Sequence, residues 1–242
     1  MINVIREIKV PASLNRIEIQ EYLSALALHL EDSDNYPEPL KRADYRNWDV
    51  LASFDRCFHS KCYITEKKDY NSWRFDIDHF IPQNERKDLV HEWTNLFPCD
   101  HWTNLIKTRK TPAGGYLDPT KEEDDVEVMI IYNIDFQFEN FFFDPADSSN
   151  IKAKNTCSLL DRVHNGHDDW SKRTTANLRG EIQYRANEIL KELKFWRKAE
   201  EGSIQKIEHE ATLRSFLSRK SSFTMLMRSM PIVQKNCADL FD

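Results

Sequence analysis

The stretch Phe75-Asp76-Ile77-Asp78-His79-Phe80-Ile81-Pro82 carries the most informative pattern in the chain. Residues 73–77 predict a short β-strand, the Asp-His pair lies at its end, and Pro82 stops it. One amide residue follows in Trp93-Thr94-Asn95-Leu96, and another in Thr103-Asn104-Leu105-Ile106-Lys107, where a helix is predicted to begin. A small hairpin followed by a helix can bring these side chains to one point, where a base can activate water beside a divalent cation.

These motifs, in this order, resemble the HNH endonuclease family in its His-Asn-Asn form. The family's ββα-metal core has Asp-His on the first strand, an Asn on the connecting loop and a third residue on the helix. The resemblance implies that His79 is an exposed general base, that Asp78 and Asn104 bind Mg²⁺ or Mn²⁺, and that Asn95 holds the hairpin and orients the base. Lys107, one turn beyond Asn104, would share its helix face and could contact a phosphate.

Simpler interpretations of the same residues exist. The Asp-His pair can be a strand-end turn and the two Asn residues can be caps, but the joint occurrence of all the motifs favours a nuclease. The alternative function is a catalytically inactive HNH scaffold that binds nucleic acid or a partner protein. A secreted nuclease toxin is disfavoured because the motifs lie in the middle of the chain.

HNH nucleases often brace this core with a zinc ion held by two Cys-x-x-Cys knuckles, and both knuckles are incomplete here. Thr65 stands in place of one cysteine, and Trp102 or Thr103 in place of the other. A zinc site of substitute ligands can still be drawn from five residues, Cys57, His59, Cys62, Cys99 and His101. We favour the other interpretation, in which Phe58, Tyr63 and Trp102 pack the space and the thiols are simply buried.

Three further segments accompany the motifs above, namely Cys62-Tyr63-Ile64-Thr65-Glu66, Leu117-Asp118-Pro119-Thr120 and Asn155-Thr156-Cys157-Ser158-Leu159-Leu160. Together with those motifs they resemble one HNH subfamily, the PtuB nuclease of the Septu anti-phage system. The resemblance spans roughly residues 50–200 and is most specific over 62–120. The resemblance implies a nuclease effector of antiviral defence that acts with an ABC-type, PtuA-like ATPase, in some systems in a retron complex. Its substrate would be nucleic acid, and no motif distinguishes DNA from RNA.

Length and composition set outer limits. The 242 residues suffice for one large domain or two small ones, and five glycines are too few for a glycine-rich phosphate loop. No apolar run approaches the ~20 residues of a membrane span, and the first residues lack a signal peptide's apolar stretch, so we expect a cytoplasmic protein with no membrane partner. The net charge of −6 is unusual for a nucleic-acid-binding protein.

The periodicity predicts an α+β fold in which the ββα-metal core is embedded in a mainly helical domain. We expect helices over 16–32, 40–56, 178–196 and 204–220, and one or two strands over 126–143. The chain then divides into four regions: an N-terminal helical segment (1–56), the HNH core (57–120), a strand-rich insertion (121–157) and C-terminal helices with a tail (158–242). The tail from Phe223 is strongly apolar; we expect it to dock a partner, although folding back onto the core would explain it equally well.

Overall fold

The computed structural model describes residues 1–40, 44–135 and 140–242. They form ten α-helices and two small antiparallel sheets, which confirms a mixed helix-and-sheet protein. The helices are α1 Ile17–Glu31, α2 Trp48–Phe58, α3 His101–Ile106, α4 Val126–Met129, α5 Ile151–Asn165, α6 Asp169–Thr174, α7 Ala176–Lys198, α8 Ile204–Leu217, α9 Thr224–Ser229 and α10 Pro231–Cys237. The strands are β1 Asp76–His79, β2 Leu96–Cys99, β3 Ile130–Asp135 and β4 Asn140–Pro145.

The central hairpin consists of β1 and β2, which pair antiparallel so that Asp78 lies opposite Phe97 and His79 opposite Leu96. Helix α3 follows β2 directly. Its N-cap is Asp100, whose carboxylate accepts hydrogen bonds from the backbone N–H groups of Trp102 and Thr103. The chain therefore runs strand, strand, helix through the region that contains the Asp-His pair and both Asn motifs.

The predicted strand over 73–77 begins too early. Ser72–Arg74 is a 3₁₀ turn, because the Asn71 side chain caps it by accepting from the N–H of Trp73, and β1 starts only at Asp76. The helix predicted over 40–56 is found at Trp48–Phe58; residues 41–43 lie outside the described part of the chain. The helices predicted over 16–32, 178–196 and 204–220 are confirmed by α1, α7 and α8.

The strand prediction over 126–143 is correct only in its later part. The carboxylate of Asp125 accepts from the N–H groups of Glu127 and Val128, so the first four residues form the helical turn α4. Strands β3 and β4 pair from Ile130 opposite Pro145 to Asp135 opposite Asn140, and residues 136–139 lie outside the described residues.

Helices cross two of the predicted region boundaries. Helix α5, capped by the Asn150 side chain, runs through residues 157 and 158, and α2 runs through residues 56 and 57. One buried cluster also draws side chains from all four regions, among them Phe54, Trp93, Phe141 and Leu213. No helix of the described residues has the length and apolar character needed to cross a bilayer.

The C-terminal tail belongs to this core. Leu226, Met227 and Val233 are almost completely buried, and α9 packs against β3. The Arg228 guanidinium ties the tail to α8 by donating to the carbonyl of Leu217. The docking prediction is therefore wrong for these buried side chains, and the tail folds back because its apolar face completes the core.

Met227→Ala is expected to lower the free energy of unfolding by about 2–5 kcal/mol, because it opens a cavity among fully buried neighbours. Ile232→Ala is the matched control, since the Ile232 side chain on the next helix is 41% exposed and its truncation should cost only about 0.5 kcal/mol. Urea denaturation of the full-length variants measures both. Equal losses in the two variants would show that the tail is not part of the core.

Candidate functional site

A pocket of about 610 Å³ opens where β1 ends, between the loop that follows the strand and the end of α3. Four of the five predicted catalytic and metal-binding residues line it, namely Asp78, His79, Asn104 and Lys107. The other lining residues are Tyr45, Ile77, Pro82, Gln83, Asn84, Leu105, Thr108 and Arg109. The hairpin and the helix that follows it thus bring together residues separated in sequence.

His79 lies at the inner wall of the pocket and is only 6% exposed, so the expected exposed base is wrong. Its Nε2 lies 2.9 Å from the carbonyl oxygen of Val90. Because a carbonyl only accepts hydrogen bonds, this contact assigns the ring proton to Nε2 and leaves Nδ1 with the free electron pair. Nδ1 lies 3.0 Å from the side-chain amide nitrogen of Gln83, and the Tyr45 ring packs edge-on against the imidazole.

Burial lowers the pKa of His79 below its ordinary value, while the Val90 carbonyl and the Asp78 carboxylate act in the opposite direction. The imidazole is therefore neutral at physiological pH. A neutral ring with a fixed tautomer is the form that can accept a proton from water.

Asn95 braces the loop between the two strands. Its amide group donates to the carbonyls of Ile81 and Leu89, and its side-chain oxygen accepts from the N–H of Ile81 at 2.8 Å. Val90, whose carbonyl holds the His79 ring, directly follows Leu89. Asn95 therefore acts on His79 only through the loop backbone.

Asp78 and Lys107 form a buried ion pair, with Lys107 Nζ 2.5 Å from Asp78 Oδ2. The Tyr63 hydroxyl donates to the same oxygen at 2.6 Å, and Lys107 also donates to the carbonyl of His79 at 3.2 Å. Lys107 lines the same pocket as Asn104, but its ammonium is held by Asp78 and by the carbonyl of His79. Lys107 lies just beyond the last residue of α3, where the backbone leaves the helix and the side chain reaches β1.

Asn104 contacts the carboxylate of Asp76, the first residue of β1. Its amide nitrogen lies 3.2 Å from Asp76 Oδ2, and the His101 ring contacts that oxygen at 2.9 Å. Asp76 and Asp78 are two residues apart on β1 and so share one face of the strand. The alternation Asp-Ile-Asp could have indicated a second carboxylate near the site.

The oxygen donors of this region fit a hard divalent cation. Mg²⁺ and Mn²⁺ prefer carboxylate and carbonyl ligands, which Asp78 and the Asn104 amide supply beside the base. The hydrogen bonds made by Asp78 both fall on Oδ2, so a cation at that oxygen has to compete with Lys107.

The five residues from which a zinc site could be drawn lie in three separate places. Cys62 and Cys99 are both buried, whereas His101 is exposed and contacts Asp76, and the Cys57 thiol accepts from the backbone N–H of Glu7. Cys57 and His59 line a second pocket of about 810 Å³. In the described residues no group of three or more His, Cys, Asp or Glu side chains is placed to hold a metal ion.

The incomplete knuckle has a structure of its own. Burial would raise the pKa of Cys62, but hydrogen bonds from Cys99 and from Thr65 outweigh it and lower the pKa to about 7. Thr65 thus bonds the remaining thiol at the position where the sequence lacks a cysteine. Phe58 and Tyr63 pack around Phe97 as expected, whereas Trp102 is half exposed and takes no part.

Sequence reasoning missed Tyr63 and Gln83 as residues that touch the site. Tyr63 was expected only as packing, and no spacing rule relates the residue after Pro82 to the ring of His79.

Comparison with family models, with curated proteins and with solved structures finds no match for the chain. Any assignment of function therefore depends on the motifs and on the geometry of this pocket.

Proposed function

We propose that the chain is a metal-dependent endonuclease of the HNH type that hydrolyses phosphodiester bonds of DNA or RNA. The observation that supports this most directly is the setting of His79. Its Nε2–H is held by the Val90 carbonyl, and its Nδ1 lies at a pocket that also contains Asp78 and Asn104.

In this proposal His79 Nδ1 takes a proton from a water molecule whose oxygen attacks the phosphorus. The new P–O bond forms as the ester P–O bond breaks, which leaves a phosphate monoester and an alkoxide that takes a proton from solvent water to become the alcohol. The Val90 carbonyl stabilises the protonated ring through Nε2–H, and Asn95 keeps that carbonyl in place. The Gln83 amide has to yield its contact with Nδ1 to the water.

Asp78 and Asn104 would hold the divalent cation, which supplies positive charge to the phosphate and to the leaving oxygen. The cation would be Mg²⁺ or Mn²⁺, as the oxygen donors favour. Asp76 contacts both Asn104 and His101 and so supports Asn104.

The resemblance of residues 62–120 to the Septu subfamily supports a biological setting for this activity. We propose that the chain is an anti-phage effector that works with an ABC-type ATPase. A retron complex is a further setting that the same resemblance supports.

A second function, an inactive scaffold that binds nucleic acid or a partner, is favoured by one observation. The Lys107 ammonium is paired with the carboxylate that a catalytic metal would bind. This is the arrangement expected of a site in which a lysine has replaced the metal ion.

Incubation of the purified chain with plasmid DNA and with total RNA, in Mg²⁺ or Mn²⁺, separates the two functions. The assay is run with and without the proposed ABC-type ATPase partner. We expect metal-dependent cleavage of at least one nucleic acid that a chelator abolishes. Binding of nucleic acid without cleavage under every condition would establish the scaffold instead.

A further inference from the structure

The Asp78–Lys107 pair is among the most enclosed ion pairs of the described chain. The exposed fractions of the two side chains are 10% and 4%. A buried carboxylate without a counter-charge is strongly destabilising, so this strand end needs a cation. Lys107 supplies that cation from within the chain.

We infer that Lys107 and a divalent cation compete for Asp78 Oδ2, so that the cation binds this oxygen only in exchange for the ammonium. The inference deepens the proposed function and rests on it for the identity of the site. Lys107 and Tyr63 together occupy Oδ2 at 2.5 and 2.6 Å, which leaves no room there for a third ligand. The Lys107 ammonium and a divalent cation bound to the same oxygen would also repel each other.

Lys107 has a route by which it can leave. It lies just beyond the last residue of α3, and its neighbours Thr108 and Arg109 are exposed at the same pocket. A lysine side chain has a flexible four-carbon stem with several rotatable bonds, so the ammonium can move from Asp78 into the pocket without unfolding the helix. There it is free to contact an anionic phosphate, and anion binding in the pocket therefore favours cation binding at Asp78.

Direct binding of Mn²⁺ to the chelator-washed full chain, followed by electron paramagnetic resonance, tests the exchange. Lys107→Met keeps the length of the side chain but removes the competing charge, and it should bind Mn²⁺ at least about tenfold more tightly than the original chain. Lys107→Arg retains a cation and should keep the weak binding. Arg109→Met removes a charge from the same pocket without touching Asp78, and it should change the affinity by less than about threefold.

A measurement on the unsubstituted chain decides the matter even where Lys107→Met fails to fold. A lysine ammonium held by a buried carboxylate gives a slowly exchanging ¹⁵N signal, which can be assigned by its loss in Lys107→Arg. Addition of Mg²⁺ should abolish or shift that signal. A signal unchanged at Mg²⁺ concentrations that saturate the site would overturn the inference.

The outcomes also separate this inference from the nuclease proposal. Metal-dependent cleavage together with Mn²⁺ affinity that is equal in Lys107→Met and the original chain would leave the nuclease and remove the exchange. Tighter Mn²⁺ binding by Lys107→Met without any cleavage would support the exchange at a site that is not a nuclease.

Discussion

His79→Ala is expected to reduce nucleic-acid cleavage by about 10²–10⁴-fold, because in the proposed mechanism it removes the group that accepts the proton of the attacking water. The tautomer set by Val90 makes Nδ1 the accepting atom, and no other imidazole among the described residues lines this pocket. Single-turnover cleavage of a labelled oligonucleotide at saturating Mg²⁺ measures the loss. Cleavage at the original rate by the folded variant would show that His79 is not the base.

The burial of His79 calls for controls that separate chemistry from stability. His164→Ala removes another buried imidazole, one that packs on Phe143 away from the pocket, and it should lower stability without lowering cleavage by the folded fraction. His79→Gln retains an N–H donor that can reach the Val90 carbonyl but provides no base. It should fold better than His79→Ala and be equally inactive.

The convergence of the motif residues was predictable because it depends on local connections. Two short paired strands and a helix that starts directly after them leave little freedom in where His79 and Asn104 are placed. Asn95 was likewise expected to hold the loop, and its three hydrogen bonds to Ile81 and Leu89 do so. When the intervening elements are short, the spacing of residues in the sequence is enough to predict which of them lie close together.

The partners of those residues were not predictable in the same way. Helical spacing placed Lys107 on the same side as Asn104, and both line the pocket, but it did not indicate that the ammonium pairs with Asp78, because the helix ends one residue before Lys107. A sequence pattern gives the face of a helix only as long as the helix lasts. The contact between Gln83 and His79 depends on the path of an irregular loop, for which no period exists.

Caps explain the errors in the secondary structure, and long-range packing explains the error in the tail. Asn71, Asp125 and Asn150 each bond to nearby backbone N–H groups and so start a turn or helix where β-branched or mixed composition suggested otherwise. The role of the tail was ambiguous in the sequence, because the same apolar residues would serve to cover β3 or to bind a partner. The packing of α9 against β3 in the folded chain decides between these two roles.

Asn104→Ala is expected to weaken Mn²⁺ binding by about 10–100-fold and to reduce cleavage in Mg²⁺ accordingly. The physical reason is the loss of a neutral oxygen ligand next to Asp78, and raising the Mn²⁺ concentration should therefore restore part of the activity. The structure also offers a purely structural role, since the Asn104 amide contacts Asp76. Cleavage rates across a range of Mn²⁺ concentrations distinguish the two roles.

Two variants sharpen this test. Asn104→Asp keeps an oxygen ligand and adds a negative charge, so it should retain Mn²⁺ binding even though it loses the donor to Asp76. Asn155→Ala, on α5, removes an amide that only donates to the carbonyls of Ala113 and Gly115, and it should lower stability with no effect on metal affinity. If Asn104→Ala loses the same fraction of its activity at every Mn²⁺ concentration, its amide supports Asp76 and does not bind the metal. In that case the ligands of the cation would have to be sought among the carboxylates of β1 alone.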